Sequence, residues 1–283
     1  MTVRASATGS VTTRLPDFLI IGGQRCGTTS LTRWLAASDD VFIGSKEVHF
    51  FDAKFDRGAD WYANLFRQAG ERQLAGEATP NYMFFPEVPA RIAELLPRAK
   101  LIAILREPVS RAYSHYWMER SRGHENLTFA EAIEAEPSRT ASDDLFSRAR
   151  PAYVARGHYL DQLRRVTARF RREQLFVLLF EELRDDPVRV YSDVCRFLGL
   201  PDDRLPDVVG SQENASSHAR SRALERLARR SPRSLRRALT RMNRAHGYPP
   251  MDPAIRARLV EHFAEPNAAL SSWLGRDLTA WNS

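Results

Sequence analysis

The segment Gly22-Gly23-Gln24-Arg25-Cys26-Gly27-Thr28-Thr29 constrains this chain more than any other. The apolar run Phe18-Leu19-Ile20-Ile21 before it reads as a buried strand. Leu31, Trp34 and Leu35 after it have i, i+3, i+4 spacing, so a helix begins near Thr28. A strand, a glycine loop and a helix in direct succession are the opening of an α/β unit. Further strand candidates are Leu101–Leu105, closed by Arg106-Glu107-Pro108, and Leu175–Phe180. Helical patterns lie between them, including one opened by Pro108 through Ser114 and Trp117, one at Tyr159–Leu163 and one at Val188–Leu198. Strands alternating with helices predict a mainly parallel sheet. The strands are apolar throughout, as expected when helices cover both faces.

The chain of 283 residues lies near the size at which one hydrophobic core stops growing. No fixed-period repeat and no clear linker divides it, so the expectation is a flexible tail at 1–15 and one domain at 16–283. At 43% hydrophobic and 27% charged residues, disordered, collagenous and coiled-coil classes are disfavoured. Two cysteines, Cys26 and Cys195, exclude a disulfide framework and a four-cysteine zinc site. The tail lacks an apolar core for a signal peptide, and no stretch reaches the ~18 apolar residues of a membrane span. The expected protein is soluble and cytoplasmic, without stable membrane insertion.

A glycine loop before a helix suits an anion. Glycines let successive N–H groups turn inward, and the helix N-terminus adds about half a positive charge. The loop has the Gly-x4-Gly shape of a nucleotide-binding P-loop, but Thr28 stands where a nucleoside triphosphatase needs lysine. The basic residue is Arg25, inside the loop. The strand Leu101–Leu105 ends in Arg106, where such enzymes place an aspartate that helps hold magnesium. A cation there repels a metal and attracts a second phosphate. The site is expected to bind an anion at two places through protein donors, with no metal.

Four motifs, in chain order the glycine loop, Lys46–Asp52, Gly76–Tyr82 and Arg106–Ser114, resemble the sulfotransferases that use 3′-phosphoadenosine 5′-phosphosulfate, in particular the heparan sulfate sulfotransferase branch and its bacterial relatives. The glycine loop is similar to their 5′-phosphosulfate loop, and Arg106-x7-Ser114 to their 3′-phosphate site. Lys46-Glu47-Val48-His49-Phe50-Phe51-Asp52 and Gly76-Glu77-Ala78-Thr79-Pro80-Asn81-Tyr82 resemble two segments of that branch, the first carrying its base. The stretch from Tyr248-Pro249-Pro250 to Asp277 resembles its tail. The resemblance spans residues 16–281 and implies a P-loop-like α/β fold.

It also implies roles. Arg25, Cys26, Gly27, Thr28, Thr29 and Ser30 would hold the 5′-phosphosulfate. Arg25, where the family usually has lysine, would sit by the bridging oxygen. Arg106 and Ser114 would clamp the 3′-phosphate. Glu47 is expected as the base that takes the acceptor proton. His49, two residues on, would share its face if the segment is extended, and would orient the hydroxyl or act as a second base. Lys46 and Asp52 would flank the acceptor pocket, and Tyr159, in Arg156-Gly157-His158-Tyr159, would touch the acceptor. Ala78 replaces a lysine of the heparan branch, which argues against heparan sulfate as acceptor. Phe180 stands where relatives place an aromatic near adenine; stacking and core packing both suit it. Either Ser216–Arg220, with Ser217 and Arg220 favoured, or Asn243–Gly247 would close the 3′-phosphate site. The product would be adenosine 3′,5′-bisphosphate, and the acceptor a hydroxyl or amine of a glycan, glycolipid or small natural product.

The formal charge of +7 keeps other partners in view. All but three of the 42 basic residues are arginine, and residues 216–244 are dense in them, patterned as one or two basic amphipathic helices. A small-molecule kinase of P-loop type conflicts with Thr28 and Arg106. A nucleic-acid or membrane-surface binder would use 216–244; the two arginines at fixed places in the loops favour a small nucleotide over nucleic acid.

Overall fold

The computed structural model describes residues 14–283 except 143, 203, 212–216, 220–230, 233–234, 237–238 and 240–243. Five strands form one parallel sheet: β1 Phe18–Gly22, β2 Val41–Lys46, β3 Leu74–Ala78, β4 Lys100–Leu105 and β5 Leu175–Leu179. Their order is β2-β3-β1-β4-β5, which places β1 at the centre. A second, two-stranded antiparallel sheet pairs β6 Ser217–Ala219 with β7 Arg244–His246.

The three expected strands form where the apolar runs lie, and their composition explains why alternation is absent. Leu19, Ile21, Leu101, Ala103 and Leu105 enter the core on one face of the sheet. Phe18, Ile20, Ile102 and Ile104 enter the core on the other. Helices bury both faces, so no position along β1 or β4 has to be polar.

Two strands lack such a run. β2 is an edge strand whose residues after Val41 are half-buried or exposed. β3, Leu-Ala-Gly-Glu-Ala, has no β-branched residue at all. Its Gly76 lies beneath Phe18, whose ring would be only 2.2 Å from an added Cβ. The small residue admits the large one on the central strand. Phe180 falls outside β5 and opens the helix Phe180–Asp185 instead.

The helix Thr28–Ala36 follows the glycine loop, with Leu31, Trp34 and Leu35 buried. The helix Pro108–Arg122 follows β4; Glu107 caps it by accepting from the Val109 and Ser110 N–H groups at 2.8 and 2.7 Å, and Gly123 ends it. The C-terminal helix is one element, Pro253–Leu274, and runs unbroken through Pro266. Among the described residues no helix is long and apolar enough to cross a membrane. The helices expected in 216–244 lie largely outside the described residues.

The chain runs from β1 toward β2 on one side and from β4 to β5 on the other. The strand order therefore reverses between β1 and β4, and a crevice opens there beyond their carboxyl ends. The loops that follow those two strands are the glycine loop and Arg106-Glu107.

Candidate active site

The floor of the crevice is backbone. Gly23 N–H donates to the Ile104 carbonyl at 2.6 Å, which ties the glycine loop to the end of β4. Arg25 has φ 68° and Gly27 φ 90°, so the loop takes two left-handed turns before the helix. A Cβ at Gly27 would come within 3.1 Å of the Phe180 ring. Gly27 caps the helix Thr28–Ala36 without a side-chain hydrogen bond, and its first turn holds no acidic residue. A helix start of this kind attracts an anion. Thr28 and Ser30 are buried there. Cys26 is wholly buried, and desolvation pushes its thiol up to about 11, so it packs and does not react.

Arginines from both loops converge. Arg106 Nη1 donates to the Arg25 carbonyl at 3.2 Å, and its guanidinium lies 4.6 Å from the Phe180 ring centroid. Arg25 turns its own guanidinium away from the loop: Nε donates to Ser114 Oγ at 3.0 Å and Nη2 to the Tyr248 hydroxyl at 2.9 Å. In this arrangement Arg25 points to the Ser114 side of the crevice, the end expected for the 3′-phosphate. Ser114 is 2% exposed on the helix Pro108–Arg122. Arg25, Arg106, Ser114 and Tyr248 therefore form one cluster across β1 and β4.

The turn after β2 supplies the other wall. Lys46 reaches back to the glycine loop, its Nζ donating to Thr29 Oγ1 at 2.6 Å and lying 3.7 Å from Glu47 Oε1. It therefore stands between the loop and Glu47. Glu47 and His49 are not extended: both have φ 56°. The expectation that they face alike through strand alternation is corrected on this point, since two left-handed residues make a tight turn. The Glu47 side chain is about half exposed. His49 Nδ1 lies 2.8 Å from Asp52 Oδ2, and the Asp52 carboxylate is buried. With Nδ1–H donating to Asp52, Nε2 is the basic nitrogen of the ring. Asp52, expected beside the acceptor, instead orients His49.

Tyr159 is also placed differently from its expected part. It is 1% exposed, and its hydroxyl donates to the Arg106 carbonyl at 2.8 Å, so it supports Arg106 from within the core. Ser217 in β6 pairs with His246 in β7, which brings the two alternative closing segments together against the helix that carries Ser114. Arg220 lies outside the described residues.

Four further contributors, Tyr248, Glu77, Thr79 and Tyr82, lie in segments the sequence singles out, but their individual parts carry no signal in local sequence pattern. Tyr248 reaches the cluster from the segment before the C-terminal helix, its ring stacked on Trp117 at 5.9 Å and 8°. The nearby Pro249-Pro250 signals a stiff turn but not the direction of the tyrosine. Glu77, Thr79 and Tyr82 lie under the Glu47–His49 turn, and only the folded sheet brings them there. Among the described residues, no group of three or more His, Cys, Asp or Glu gathers as a metal set.

The Sulfotransferase domain family profile matches residues 15–266. The human bifunctional heparan sulfate N-deacetylase/N-sulfotransferase 3 is 32% identical over 285 residues, 95% of this chain and 31% of that protein. Human heparan sulfate glucosamine 3-O-sulfotransferase 3B1 is 32% identical over 192 residues, covering 68% of this chain and 48% of that protein. The chain thus spans about a third to a half of the length of these curated relatives. Among solved structures, a sulfotransferase from Alicyclobacillus acidocaldarius shares 31% identity with a TM-score of 0.75, covering 95% of this chain and 100% of that one.

Proposed function

The chain belongs to the sulfotransferase family, and from that premise we propose that it moves a sulfuryl group from 3′-phosphoadenosine 5′-phosphosulfate to an acceptor hydroxyl or amine of a glycan, glycolipid or small natural product. The observation that carries the reading is the arginine–serine cluster at the reversal of strand order. Arg106 follows β4 where a nucleoside triphosphatase would need a carboxylate, and Ser114 and Arg25 stand beside it. A donor with a phosphate at each end fits a loop that offers backbone N–H groups at one place and guanidinium groups at the other.

In the proposed reaction the acceptor oxygen attacks sulfur, the new S–O bond forms, and the bond from sulfur to the bridging oxygen breaks. The electron pair leaves with adenosine 3′,5′-bisphosphate. Glu47 takes the acceptor proton, and His49, oriented by Asp52, holds the attacking group in line. Lys46, next to Thr29, stabilises charge growing on the leaving oxygen, a place for which Arg25 is turned the wrong way. Ala78 stands in place of a lysine near the acceptor, which weakens the case for heparan sulfate within the glycan class.

The test uses donor labelled with radioactive sulfur and a mixture of candidate acceptors. Label appearing in an acceptor, with release of one adenosine 3′,5′-bisphosphate per sulfate, is the expected result. Labelled phosphate transfer from ATP without sulfate transfer overturns the reading. Adenosine 3′,5′-bisphosphate should also raise the melting temperature, because a ligand that binds only the folded state stabilises it.

A further inference from the structure

Glu77, one residue before the end of β3, is 0% exposed, and no lysine or arginine pairs with it among the described residues. Its two oxygens take three hydroxyl donors instead. Oε1 accepts from Tyr62 at 2.7 Å and from Tyr82 at 2.9 Å, and Oε2 accepts from Thr79 at 2.8 Å. Two of these hydroxyls also touch the turn after β2. The Tyr82 oxygen accepts from the Phe50 N–H at 2.9 Å and from the Phe51 N–H at 3.4 Å, and the Thr79 oxygen accepts from the His49 N–H at 3.4 Å.

The direction of these bonds is fixed by the carboxylate. An ionised carboxylate only accepts, so each hydroxyl hydrogen must point at Glu77. The lone pairs of Tyr82 and Thr79 then face the N–H groups of residues 49–51. A protonated carboxyl brings a fourth O–H into a set that already has three. One hydroxyl must then turn its hydrogen elsewhere, and on the turn side it would meet an N–H. Meanwhile the turn holds two non-glycine residues, Glu47 and His49, in the left-handed region. Such residues persist only where the surroundings over-determine them.

We propose that Glu77 is a positioning residue: its ionised carboxylate holds the Glu47–His49 turn in shape through Tyr82 and Thr79, and its protonation relaxes that turn. The link to catalysis rests on the reading of Glu47 and His49 given above. Burial sets where the change occurs. Desolvation, with a smaller push from Asp52, raises the Glu77 carboxyl to about 7 against the pull of its three hydroxyl donors. The groups that face it are Tyr62, Tyr82 and Thr79, with Asp52 beyond them carrying His49. The test must separate Glu77 from the other groups at the turn. Tyr62 does this, because its hydroxyl bonds Glu77 and not the turn. Its ring, stacked on Phe50 at 4.2 Å, survives replacement by phenylalanine.

The experiment is amide hydrogen exchange on the full chain between pH 5.5 and 8.5, corrected for the intrinsic exchange rate. In the wild type, protection of the Phe50 and Phe51 amides should fall about tenfold as pH drops through ~7. In Tyr62→Phe the same step should move to higher pH, since one bond that favours the ionised form is gone. In Glu77→Gln protection should be low and flat. Protection that is flat with pH in the wild type, or a step that Tyr62→Phe leaves in place, overturns the proposal. If Glu77→Gln does not fold, the first two proteins decide. Turnover over the same range tests the link to catalysis. A step in exchange with no matching step in turnover leaves the role of Glu77 intact and sinks the assignment of Glu47 and His49.

Discussion

The loop after β1 and the turn after β2 face one another across Lys46, yet they are held in opposite ways. The glycine loop is tied by its own backbone, through Gly23 to Ile104, and takes its charge from a helix start and from arginines of two strands. Its shape rests on Gly22, Gly23 and Gly27, with Arg25 its left-handed non-glycine residue. The Glu47–His49 turn has full side chains in left-handed conformations and is held from below by hydroxyls on a buried carboxylate. The first can present N–H groups to a phosphate whatever the pH. On the reading proposed above, the second carries the base, and its placing depends on a titratable group. The donor end is therefore expected to be robust and the acceptor end conditional, and variants at each end should separate binding from turnover.

The largest effect should come at the acceptor end. Glu47→Gln should lower turnover by about 100-fold or more, the usual range for loss of a general base, while the affinity for adenosine 3′,5′-bisphosphate stays the same. Calorimetry beside labelled-sulfate transfer checks this; turnover within a factor of about ten of wild type removes Glu47 as the base. The converse applies to Arg106→Ala. It removes a charged hydrogen-bond partner of about 1.5–3 kcal/mol, so bisphosphate affinity should weaken by ~10–100-fold while turnover at saturating donor holds. Equal loss in both quantities would mean that the two ends are not independent.

Lys46 joins the two ends, and Lys46→Met should blur the separation. With Nζ on Thr29 and near Glu47, its loss should reduce turnover by roughly tenfold and weaken the donor by less. An unchanged turnover would place the charge stabilisation elsewhere, with Arg25 next to be tested.

The same contrast decides what the sequence could reveal. β1, β4 and β5 are readable because two-sided burial demands continuous apolar runs. β2 is not, because its residues after Val41 are only partly buried and need no such run, and β3 is not, because Gly76 answers to Phe18, a contact 58 positions away. The glycine loop is legible since loop, helix start and spacing are local. Arg106 is legible from its place after a strand. Glu47 and His49 are legible as residues but not as geometry: a period-two argument assumes extended backbone, and φ 56° at both breaks it. Tyr248, Asp52 and Tyr159 take partners that only the folded chain supplies. Asp52 and Tyr159 lie under the site and act on it through His49 and Arg106.

The smallest effect tests the donor end by stability. His115 lies one residue after Ser114 on the same helix, wholly buried against Tyr153 at 4.9 Å. Burial and the neighbouring Arg156, Arg111 and Arg25 hold its imidazole well below the usual range, so it is neutral in the fold. In the unfolded chain it takes up a proton near pH 6.5. Below that pH the unfolded state binds more protons, so stability is lost as pH falls, by about 0.8 kcal/mol at pH 6. Glu77 contributes with the opposite sign: its raised folded value favours the fold at low pH, and that contribution is lost as pH rises through about 7. A single melting curve would mix the two. The difference between wild type and His115→Phe cancels Glu77, since that carboxyl is present in both proteins. Denaturant unfolding at pH 7.5 and 6 should show the balance moving toward the phenylalanine variant by that amount. A gap that does not change with pH would mean that His115 takes up its proton as readily in the fold as in the unfolded chain, and the arginine cluster beside Ser114 would then have to tolerate a further cation at low pH.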